Sequence, residues 1–477
     1  MRILLSILGL AVCQMCFSQQ WVDTTFQITT TTDIVYGEAV DFKGANYLLD
    51  MDISVPVDDT PPECGRPLMV VVHGGAWYAG DKAEGYPVRL RQDFAKRGYV
   101  TASVNYRLGL FNTHQQIDCV LLDGWKCWNM ADTIEWYRAN YRAIQDVRGA
   151  IRYLVNNRAD YNIDPDNVFL VGESAGGFVV LGAGFIDDPS EILAPLVDEY
   201  PDVQAPHAIY EARCIRTLGL ADSIEEMDLS RPALGDVEGE TNLPLEENYQ
   251  IRAVGNIYGG VFNNIFATHA SAAPALYLYH QPCDLIVPFN YNRLLAGYSF
   301  CATGFPSFCQ YIINRPFSYG SKGITTLIDS LVANNVPAPD YYFDNSGNSY
   351  SCLEQVANPS IGCHAIDSYW LRTNNMATYF SDKINACSIT SSADLSSATQ
   401  PVLVYPNPTD DWLSLRVASY QSNVRVRLYN LAGIPLDEQL FLQQNELRMD
   451  VSKLASGYYL VSIEVDDQIF FASFVKS

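Results

Sequence analysis

Hydrophobic and polar residues alternate in two different ways along the chain. Before residue 387, short runs at 68–72, 100–104, 167–171 and 275–279 have the length and apolar texture of buried strands. Between the second and third runs, the apolar residues of 144–155 recur at the spacing of one helix face. Because strands that alternate with helices build a sheet covered on both faces, this region predicts an α/β domain with a mostly parallel central sheet.

Two stretches of this region, 187–248 and 291–341, do not follow the alternation of strand and helix. We interpret them as insertions. In open α/β sheets, insertions at the carboxyl ends of the strands form lids and pockets, so we expect these two to shape a binding site.

The last part of the chain changes to strict alternation. Residues 388–400 are small and polar and predict a linker. After them, apolar and polar residues alternate at period two, which indicates strands with one solvated face. We therefore predict a large α/β domain over 19–387, the linker, and a small antiparallel β-sandwich domain over 401–477. The alternating runs are 412–417, 424–429, 457–465 and 469–475.

The first residues predict an export signal. Arg2 is followed by the apolar run 3–12 and then by Ser18, which is the order of a secretory signal peptide, here 1–18. The run is too short to cross a bilayer, since a membrane helix needs roughly 18 apolar residues, and no later stretch reaches that length. We expect a secreted or cell-surface protein without an integral membrane segment. A lipoprotein signal at Cys13 is the alternative.

Composition narrows the class of protein further. The 477 residues are 48% hydrophobic and 18% charged, which is typical of a folded globular chain. The net charge of −24 opposes attraction to phosphate backbones, so nucleic acid is not an expected partner.

Cysteine usage agrees with export. Twelve cysteines less Cys13 and Cys16 leave an even ten, which favours disulfides, and none forms the close pairs of a structural zinc site. Two disulfides are predicted between cysteines that lie close together in the sequence, Cys119 with Cys127 and Cys301 with Cys309. Alternatively, some of the ten are small buried hydrophobic residues.

A candidate nucleophile follows the third apolar run. The run leads into Gly172, Glu173, Ser174, Ala175 and Gly176, the pattern G-x-S-x-G, and a helix-capable stretch comes next. A tight turn from strand to helix needs glycines where backbones approach, and it presents the serine hydroxyl above the sheet. We predict Ser174 as the nucleophile.

The serine needs donors for the developing oxyanion. His73, Gly74 and Gly75 directly follow the first apolar run, and glycines there leave backbone N–H groups able to point at an oxyanion. We predict the N–H groups of Gly74, Gly75 and Ala175 as the oxyanion hole. His73 is expected to hold the loop by hydrogen bonds and not to act as the base.

With Ser174 as the nucleophile, the acid and then the base are expected after the serine along the chain. Asp284 lies just beyond the fourth apolar run, where a catalytic carboxylate is expected, although a turn aspartate is the alternative. His364 is the only histidine after Asp284, and it follows a candidate strand at 341–343. We predict Asp284 as the acid and His364 as the general base.

These motifs resemble the esterase branch of the α/β-hydrolase fold, and bacterial carboxylesterases in particular. The resemblance covers about 45–385 and is carried by HGGAW at 73–77, NYR at 105–107, DVRGAIRYLVNN from 146 and DPDNVFLVGESAGG from 164. It implies hydrolysis of carboxylic esters through an acyl-enzyme on Ser174. Ala76, where some members carry a third glycine, and an aspartate acid, where others use glutamate, leave the subfamily open.

The tail resembles a second family. The segment YPNP at 405–408, the hairpin around Ala432 and Gly433, and LASGYY at 454–459 are similar to the C-terminal sorting domain read by the type IX secretion system. The resemblance implies that the type IX machinery is a partner and exports the protein. From the residues alone, a β-module that binds carbohydrate is an equally fair interpretation.

The sequence therefore predicts a secreted serine esterase acting on a small-molecule or polymeric ester, with no metal or organic cofactor. Trp77, Tyr78 and Phe178 are the candidate walls of the substrate pocket. A further hypothesis is a disulfide between Cys283 and Cys363, neighbours of the acid and the base, that fixes the triad. A peptidase of the same fold and a catalytically silent adhesion or binding module remain alternatives.

Overall fold

A computed structural model of the chain describes residues 20–57, 59–110, 133–197, 232–239, 243–267, 273–297, 315–385, 402–405, 409, 411–417, 423–430, 435–442, 446–465 and 468–476. The predicted signal peptide and linker lie outside the described residues, as do Cys119, Cys127, Cys301 and Cys309. The chain divides into two compact units, Met1–Ser388 and Ile389–Ser477.

The first unit is built on an eight-stranded sheet in the order β1-β2-β4-β3-β5-β6-β8-β11. Strand β2 is antiparallel to both of its neighbours, and all other neighbouring pairs are parallel. Three short strands form a separate sheet in the order β7-β10-β9. The strands are β1 (Gln27–Val40), β2 (Asn46–Val57), β3 (Arg66–Val72), β4 (Val100–Val104), β5 (Ile163–Glu173), β6 (Ile251–Ile257), β7 (Gly260–Val261), β8 (Ala275–His280), β9 (Tyr291–Arg293), β10 (Phe317–Gly320) and β11 (Tyr341–Asn345).

Helices cover both faces of this sheet. Over the described part of the chain, none is long and apolar enough to span a bilayer. The α-helices are α1 (Gly85–Ala95), α2 (Thr133–Asn156), α3 (Arg158–Tyr161), α4 (Ala175–Phe185), α5 (Ala194–Val197), α6 (Ser321–Ala333), α7 (Cys352–Ala357) and α8 (Tyr369–Ser381), with 3₁₀ turns at Pro189–Glu191 and Pro359–Ile361.

Strand β3 shows how the core is divided. Its residues are all buried, and successive side chains point to opposite faces. Leu68 and Val70 belong to the apolar cluster that includes α2 and α4, whereas Met69 and Val71 belong to the cluster that includes α1 and α8. The predicted α/β-hydrolase fold with a mostly parallel, doubly covered sheet is confirmed.

The segment 291–341 is not wholly an insertion, so this interpretation was wrong in part. Its second half contains α6, which is the crossover between the parallel strands β8 and β11. Helix α6 carries threonines and a glycine among its apolar residues, which weakens the helical pattern in the sequence. Most of 187–248 lies outside the described residues.

The second unit is an antiparallel β-sandwich, as predicted. A three-stranded sheet has the order β12-β13-β16, and a four-stranded sheet has the order β15-β14-β17-β18. Both sheets contribute to one core, with Leu413 and Leu447 from the first and Val424 and Val461 from the second. The strands are β12 (Val402–Tyr405), β13 (Trp412–Val417), β14 (Asn423–Asn430), β15 (Pro435–Leu442), β16 (Glu446–Asp450), β17 (Gly457–Val465) and β18 (Gln468–Lys476).

Candidate active site

Ser174 occupies a strained turn between β5 and α4. Its backbone has φ 53° and ψ −122°, a conformation that an L-residue adopts only when the surroundings enforce it. A Cβ on Gly172 would lie 2.1 Å from the carbonyl oxygen of Gly176, and a Cβ on Gly176 would lie 2.3 Å from that of Val72. Only glycine fits at these two positions, so the flanking glycines permit the turn that lifts the serine above the sheet.

The structure brings Ser174, His364 and Asp284 together. Nε2 of His364 lies 2.8 Å from Oγ of Ser174, and Nδ1 of His364 lies 2.7 Å from Oδ2 of Asp284. Ser174 follows β5, Asp284 follows β8 and His364 follows β11. All three strands run parallel, so their carboxyl ends meet at one edge of the sheet.

Every oxygen of the Asp284 carboxylate has donors. Oδ1 accepts the N–H groups of Ile286 at 2.8 Å and Val287 at 3.1 Å, while Oδ2 faces His364 and His280. Burial raises the pKa of Asp284, but the adjacent histidines outweigh it and hold the pKa at about 2. The carboxylate is therefore ionised at neutral pH.

An ionised carboxylate only accepts hydrogen bonds, and this fixes the tautomer of His364. Nδ1 carries the proton and donates a hydrogen bond to Asp284, so Nε2 is free to accept a hydrogen bond from the Ser174 hydroxyl. Burial lowers the pKa of His364, but the charge and the hydrogen bond of Asp284, together with the charge of Glu173, raise it by more, and the net pKa lies above its ordinary value. The imidazole is a stronger base than histidine in water.

His280 is a functional residue that the sequence analysis missed. It is fully buried at the end of β8, and its Nε2 lies 3.2 Å from Oδ2 of Asp284. The backbone N–H of Ser321 donates to Nδ1 of His280 at 3.2 Å, so Nε2 is the protonated nitrogen and donates to the carboxylate. The sequence signal was a histidine four residues before the acid. It was missed because only residues after Asp284 were considered as partners of the acid.

The loop after β3 lies against the nucleophile. A Cβ on Gly74 would lie 3.0 Å from Cβ of Ser174. Gly75 has a φ of +99°, and its carbonyl accepts the N–H groups of Tyr78 and Ala79. The N–H groups of Gly74, Gly75 and Ala175 stay a prediction as the oxyanion donors.

Glu173 contacts a neighbour of His364. Its carboxylate accepts the hydroxyl of Tyr258, and the Tyr258 ring packs 4.7 Å from the ring of His364. Desolvation raises the pKa of Glu173, while the Tyr258 hydroxyl, the nearby His364 and the backbone of Gly74 lower it in part. This second carboxylate was present in the sequence motif but had no assigned role.

His73 is placed as predicted, within the loop and away from the proton transfer. It is buried and stacks on Tyr106 with ring centroids 4.3 Å apart, and its Nδ1 contacts the carbonyl of Gly74 at 2.7 Å. Burial lowers the pKa of His73 to about 4, so the ring is neutral.

An apolar pocket opens beside Ser174. It encloses about 290 Å³, part of which is open to solvent, and Trp77 and Phe178 line it as predicted from the sequence. Trp136, from α2, is a third wall that the sequence analysis did not name. Tyr78 is not one of the described residues that line the pocket.

A disulfide joins the loops that carry the acid and the base. It links Cys283 to Cys363, the pair that the sequence hypothesis named. The side chain of Gln355 bridges the same two residues, because its amide donates to the carbonyl of Cys283 at 2.9 Å and accepts the N–H of Cys363 at 3.0 Å. Within the described residues, no group of His, Cys, Asp and Glu side chains is placed to hold a metal ion.

Comparison with known families matches both parts of the chain. Residues 51–119 and 128–230 match the family described as BD-FAE, and residues 403–477 match the family described as a secretion system C-terminal sorting domain. The first match contains the Ser174 turn and the loop after β3.

Individual relatives are esterases. The para-nitrobenzyl esterase of Bacillus subtilis is 32% identical over 27% of this chain and 23% of its own length, and Esterase LipQ of Mycobacterium tuberculosis is 28% identical over 56% of this chain and 52% of its own. The chain thus spans about a quarter to a half of these curated relatives. A solved structure described as a truncated form of carbohydrate esterase from gut microbiota aligns over 76% of this chain and 98% of its own, at 16% identity and a TM-score of 0.38. The resemblances to an α/β-hydrolase esterase and to a type IX sorting domain, both predicted from the sequence, are confirmed.

Proposed function

We propose that the chain is an exported serine hydrolase that cleaves carboxylic esters, with Ser174 as nucleophile, His364 as general base and Asp284 as the orienting acid. One observation carries the proposal: the continuous hydrogen-bonded series from Ser174 through His364 to Asp284, at 2.8 and 2.7 Å. A serine hydroxyl is a weak nucleophile alone, and a neutral imidazole held in this orientation is what activates it.

In the first half-reaction, Oγ of Ser174 forms a bond to the ester carbonyl carbon while its proton passes to Nε2 of His364. The N–H groups of Gly74, Gly75 and Ala175 are the proposed donors to the oxyanion. The bond to the alcohol oxygen then breaks, Nε2 returns the proton to that oxygen, and an acyl-enzyme remains. Asp284 stays ionised and stabilises the imidazolium that forms in between.

In the second half-reaction, a water molecule takes the place of the alcohol. His364 accepts a proton from the water as the water oxygen attacks the acyl carbon. It then returns the proton to Oγ of Ser174 as the carboxylic acid product is released. His280 supports both halves by holding Asp284 at a fixed position through its Nε2 hydrogen bond.

The sorting domain implies export to the cell surface or the medium. We further propose that residues 1–18 act as the signal peptide, which is consistent with an esterase working on substrates outside the cell.

The test is Ser174→Ala in the purified full chain, assayed on p-nitrophenyl acetate. We expect kcat to fall by about 10³ or more, with little change in thermal stability, because the hydroxyl contributes to chemistry and not to the core. Ser190→Ala, at an exposed serine, is the matched control and is expected to retain activity.

Two further measurements separate the alternatives. A fluorophosphonate should label the wild type at Ser174 and leave the Ser174→Ala variant unlabelled, and a matched ester and anilide distinguish an esterase from a peptidase. Undiminished hydrolysis by Ser174→Ala would overturn the assignment of the nucleophile. An unlabelled and inactive wild type would identify a binding module.

A further inference from the structure

We infer that Lys82 is a positioning residue for the loop after β3, residues 73–82, which we call the oxyanion loop. Its ammonium binds the far end of this loop to three carboxylates on β1 and β2, and so keeps the predicted donors, the N–H groups of Gly74 and Gly75, in place for the oxyanion. The inference rests on the proposed function, because Lys82 acts through the loop and not on the reacting atoms.

The oxyanion loop passes through left-handed backbone at three successive residues. The φ angles are +99° at Gly75, +52° at Ala76 and +61° at Trp77. This conformation is unfavourable for a residue with a Cβ, so Ala76 and Trp77 keep it only where the surroundings enforce it. The conformation of the loop therefore depends on what fixes its two ends.

The two ends of the loop lie against each other. The carbonyl of Gly75 accepts the N–H groups of Tyr78 and Ala79 at 3.2 and 3.1 Å. Gly80 has a φ of +106°, and a Cβ on it would lie 2.3 Å from Nδ1 of His73. The first end continues from the fully buried strand β3, so the position of the second end decides whether the loop stays closed.

Lys82 fixes the second end. Its side chain is 5% exposed, and Nζ lies 2.7 Å from Oδ1 of Asp33, 3.1 Å from Oδ2 of Asp50 and 3.3 Å from Oδ1 of Asp52. The backbone N–H of Lys82 donates to Oδ1 of Asn105 at 2.7 Å, and the amide of Asn105 donates to Asp50 at 2.9 Å. The main chain and the side chain of Lys82 are thus bound to the same group of carboxylates.

A bulge in β1 belongs to this arrangement. The register of β1 against β2 shifts between Thr31 and Ile34, and Asp33 lies within the shift with a φ of 58°. β-Bulges redirect side chains, and the carboxylate of Asp33 here contacts Lys82 while its backbone N–H donates to Oδ1 of Asp52 at 3.1 Å. The irregularity of the edge strand therefore has a place in the binding of Lys82.

The three carboxylates face two cations. The second cation is Arg91 of α1, whose Nη1 lies 2.9 Å from Oδ2 of Asp52. Burial lowers the pKa of Lys82, but the hydrogen bonds and charges of the carboxylates raise it by more, so the ammonium stays charged. Without the ammonium, Asp50 and Asp52 would repel each other in a place with little access to water, and the end of the loop would lose its partner.

The test measures kcat and KM separately for Lys82→Met in the purified full chain, with p-nitrophenyl acetate and below the unfolding temperature of each variant. Donors to an oxyanion act in the transition state, so their displacement should lower kcat by about tenfold or more and change KM by less than about threefold. The affinity for a trifluoromethyl ketone, which forms an oxyanion when the serine adds to it, should fall in proportion to kcat. Lys82→Arg keeps the charge and should recover most of kcat.

Arg91→Met is the matched control. It removes the other cation from the same carboxylates, but Arg91 belongs to α1 and not to the oxyanion loop. The variant should lower the thermal midpoint as Lys82→Met does and leave kcat within about twofold of the wild type. Should Lys82→Met fold poorly, Asp33→Asn removes only the most exposed partner of Lys82 and should lower kcat by about threefold.

The outcomes separate this inference from the proposed function. A wild-type kcat in Lys82→Met, a change confined to KM, or an equal loss of kcat in Lys82→Met and Arg91→Met would overturn the role of Lys82 and leave the esterase proposal standing. A wild type that neither cleaves the ester nor reacts with a fluorophosphonate would overturn the proposed function itself.

Discussion

At the residue scale, the base is controlled by two carboxylates and not by one. Asp284 contacts Nδ1 of His364 directly, and Glu173 acts on the same ring through space and through Tyr258, which packs against it. Both negative charges favour the protonated imidazolium, so both raise the pKa of His364.

The pH dependence of kcat/KM tests this role of Glu173. His364 must be neutral to accept the serine proton, so activity falls as the pH drops through its pKa, which Asp284 and Glu173 hold above the ordinary histidine value. Glu173→Gln removes a negative charge and lowers that pKa, so the acid limb should move to lower pH, while kcat falls by less than about tenfold because the amide oxygen still accepts a hydrogen bond.

The control for this experiment is Glu38→Gln, which removes an equal charge from the exposed edge strand β1. Its pH profile should match the wild type. An acid limb that stays in place or rises in Glu173→Gln would show that Glu173 acts only as a structural anchor.

The three residues of the proposed triad were readable from the sequence, whereas their partners in the structure were not. Ser174 is signalled by glycines that only a sharp turn requires, and Asp284 and His364 by their order along the chain. Tyr258 had no such signal, because a buried tyrosine next to a strand resembles any core residue until its contacts are known. His280 was signalled only by its position four residues before the acid, and its contact with Asp284 depends on a side-chain direction that the sequence pattern does not encode.

At the scale of elements, the catalytic geometry depends on two loops that follow different strands. The loop after β8 carries the acid and the loop after β11 carries the base, and two links join them: the Cys283–Cys363 disulfide and the amide of Gln355. The base loop is also held to β8, since Gln281 and Tyr279 donate to the carbonyl of Ala365 at 2.8 and 3.2 Å.

Replacing both cysteines, as Cys283→Ser with Cys363→Ser, should cost more in stability than in activity. The disulfide closes a loop with a sequence separation of 80 residues, which in the chain-entropy model stabilises the fold by about 4 kcal/mol. The Gln355 bridge still holds the loops, so kcat should fall by less than about tenfold. A double-mutant cycle then combines Gln355→Ala with the two cysteine substitutions. The fold-decrease in kcat of the combined variant should exceed the product of the fold-decreases that Gln355→Ala and the cysteine substitutions cause separately.

Asn358→Ala, in the same base loop, serves as the control for this cycle because its side chain bonds only locally to Ser360 in the described structure. Its effect should combine additively with loss of the disulfide. If the effect of Gln355→Ala on kcat is also additive with loss of the disulfide, the disulfide and Gln355 do not jointly position the triad.

Strands with a largely apolar sequence were predictable, and strands that carry many polar residues were not. The fully buried strands β3 and β8 contain continuous apolar runs, 67–72 and 275–279. Strand β1 is mostly exposed and rich in threonine, and β6 carries an arginine and an asparagine, so neither has a distinctive pattern. Their pairing depends on neighbours distant in the chain, which short-range periodicity does not report.

At the scale of the whole molecule, chemistry and export belong to different units. The proposed triad, the pocket beside Ser174 and the two apolar clusters of the α/β sheet consist of residues before 385, and a third cluster, between 413 and 474, forms the core of the sandwich alone. Each unit has its own apolar core, which is the usual condition for independent folding.

Deleting residues 389–477 should therefore separate activity from location. We expect the shortened chain, once purified, to retain kcat/KM on p-nitrophenyl acetate within about twofold, because no residue of the triad or the pocket is removed. In a bacterium with type IX machinery, the shortened chain should stay inside the cell envelope, whereas the full chain reaches the surface or the medium. The full-length Ser174→Ala variant is the matched counterpart, expected to be exported and inactive.

Activity loss of tenfold or more on deletion would show that the sandwich contributes to catalysis, and export of the shortened chain would show that the tail is dispensable for sorting.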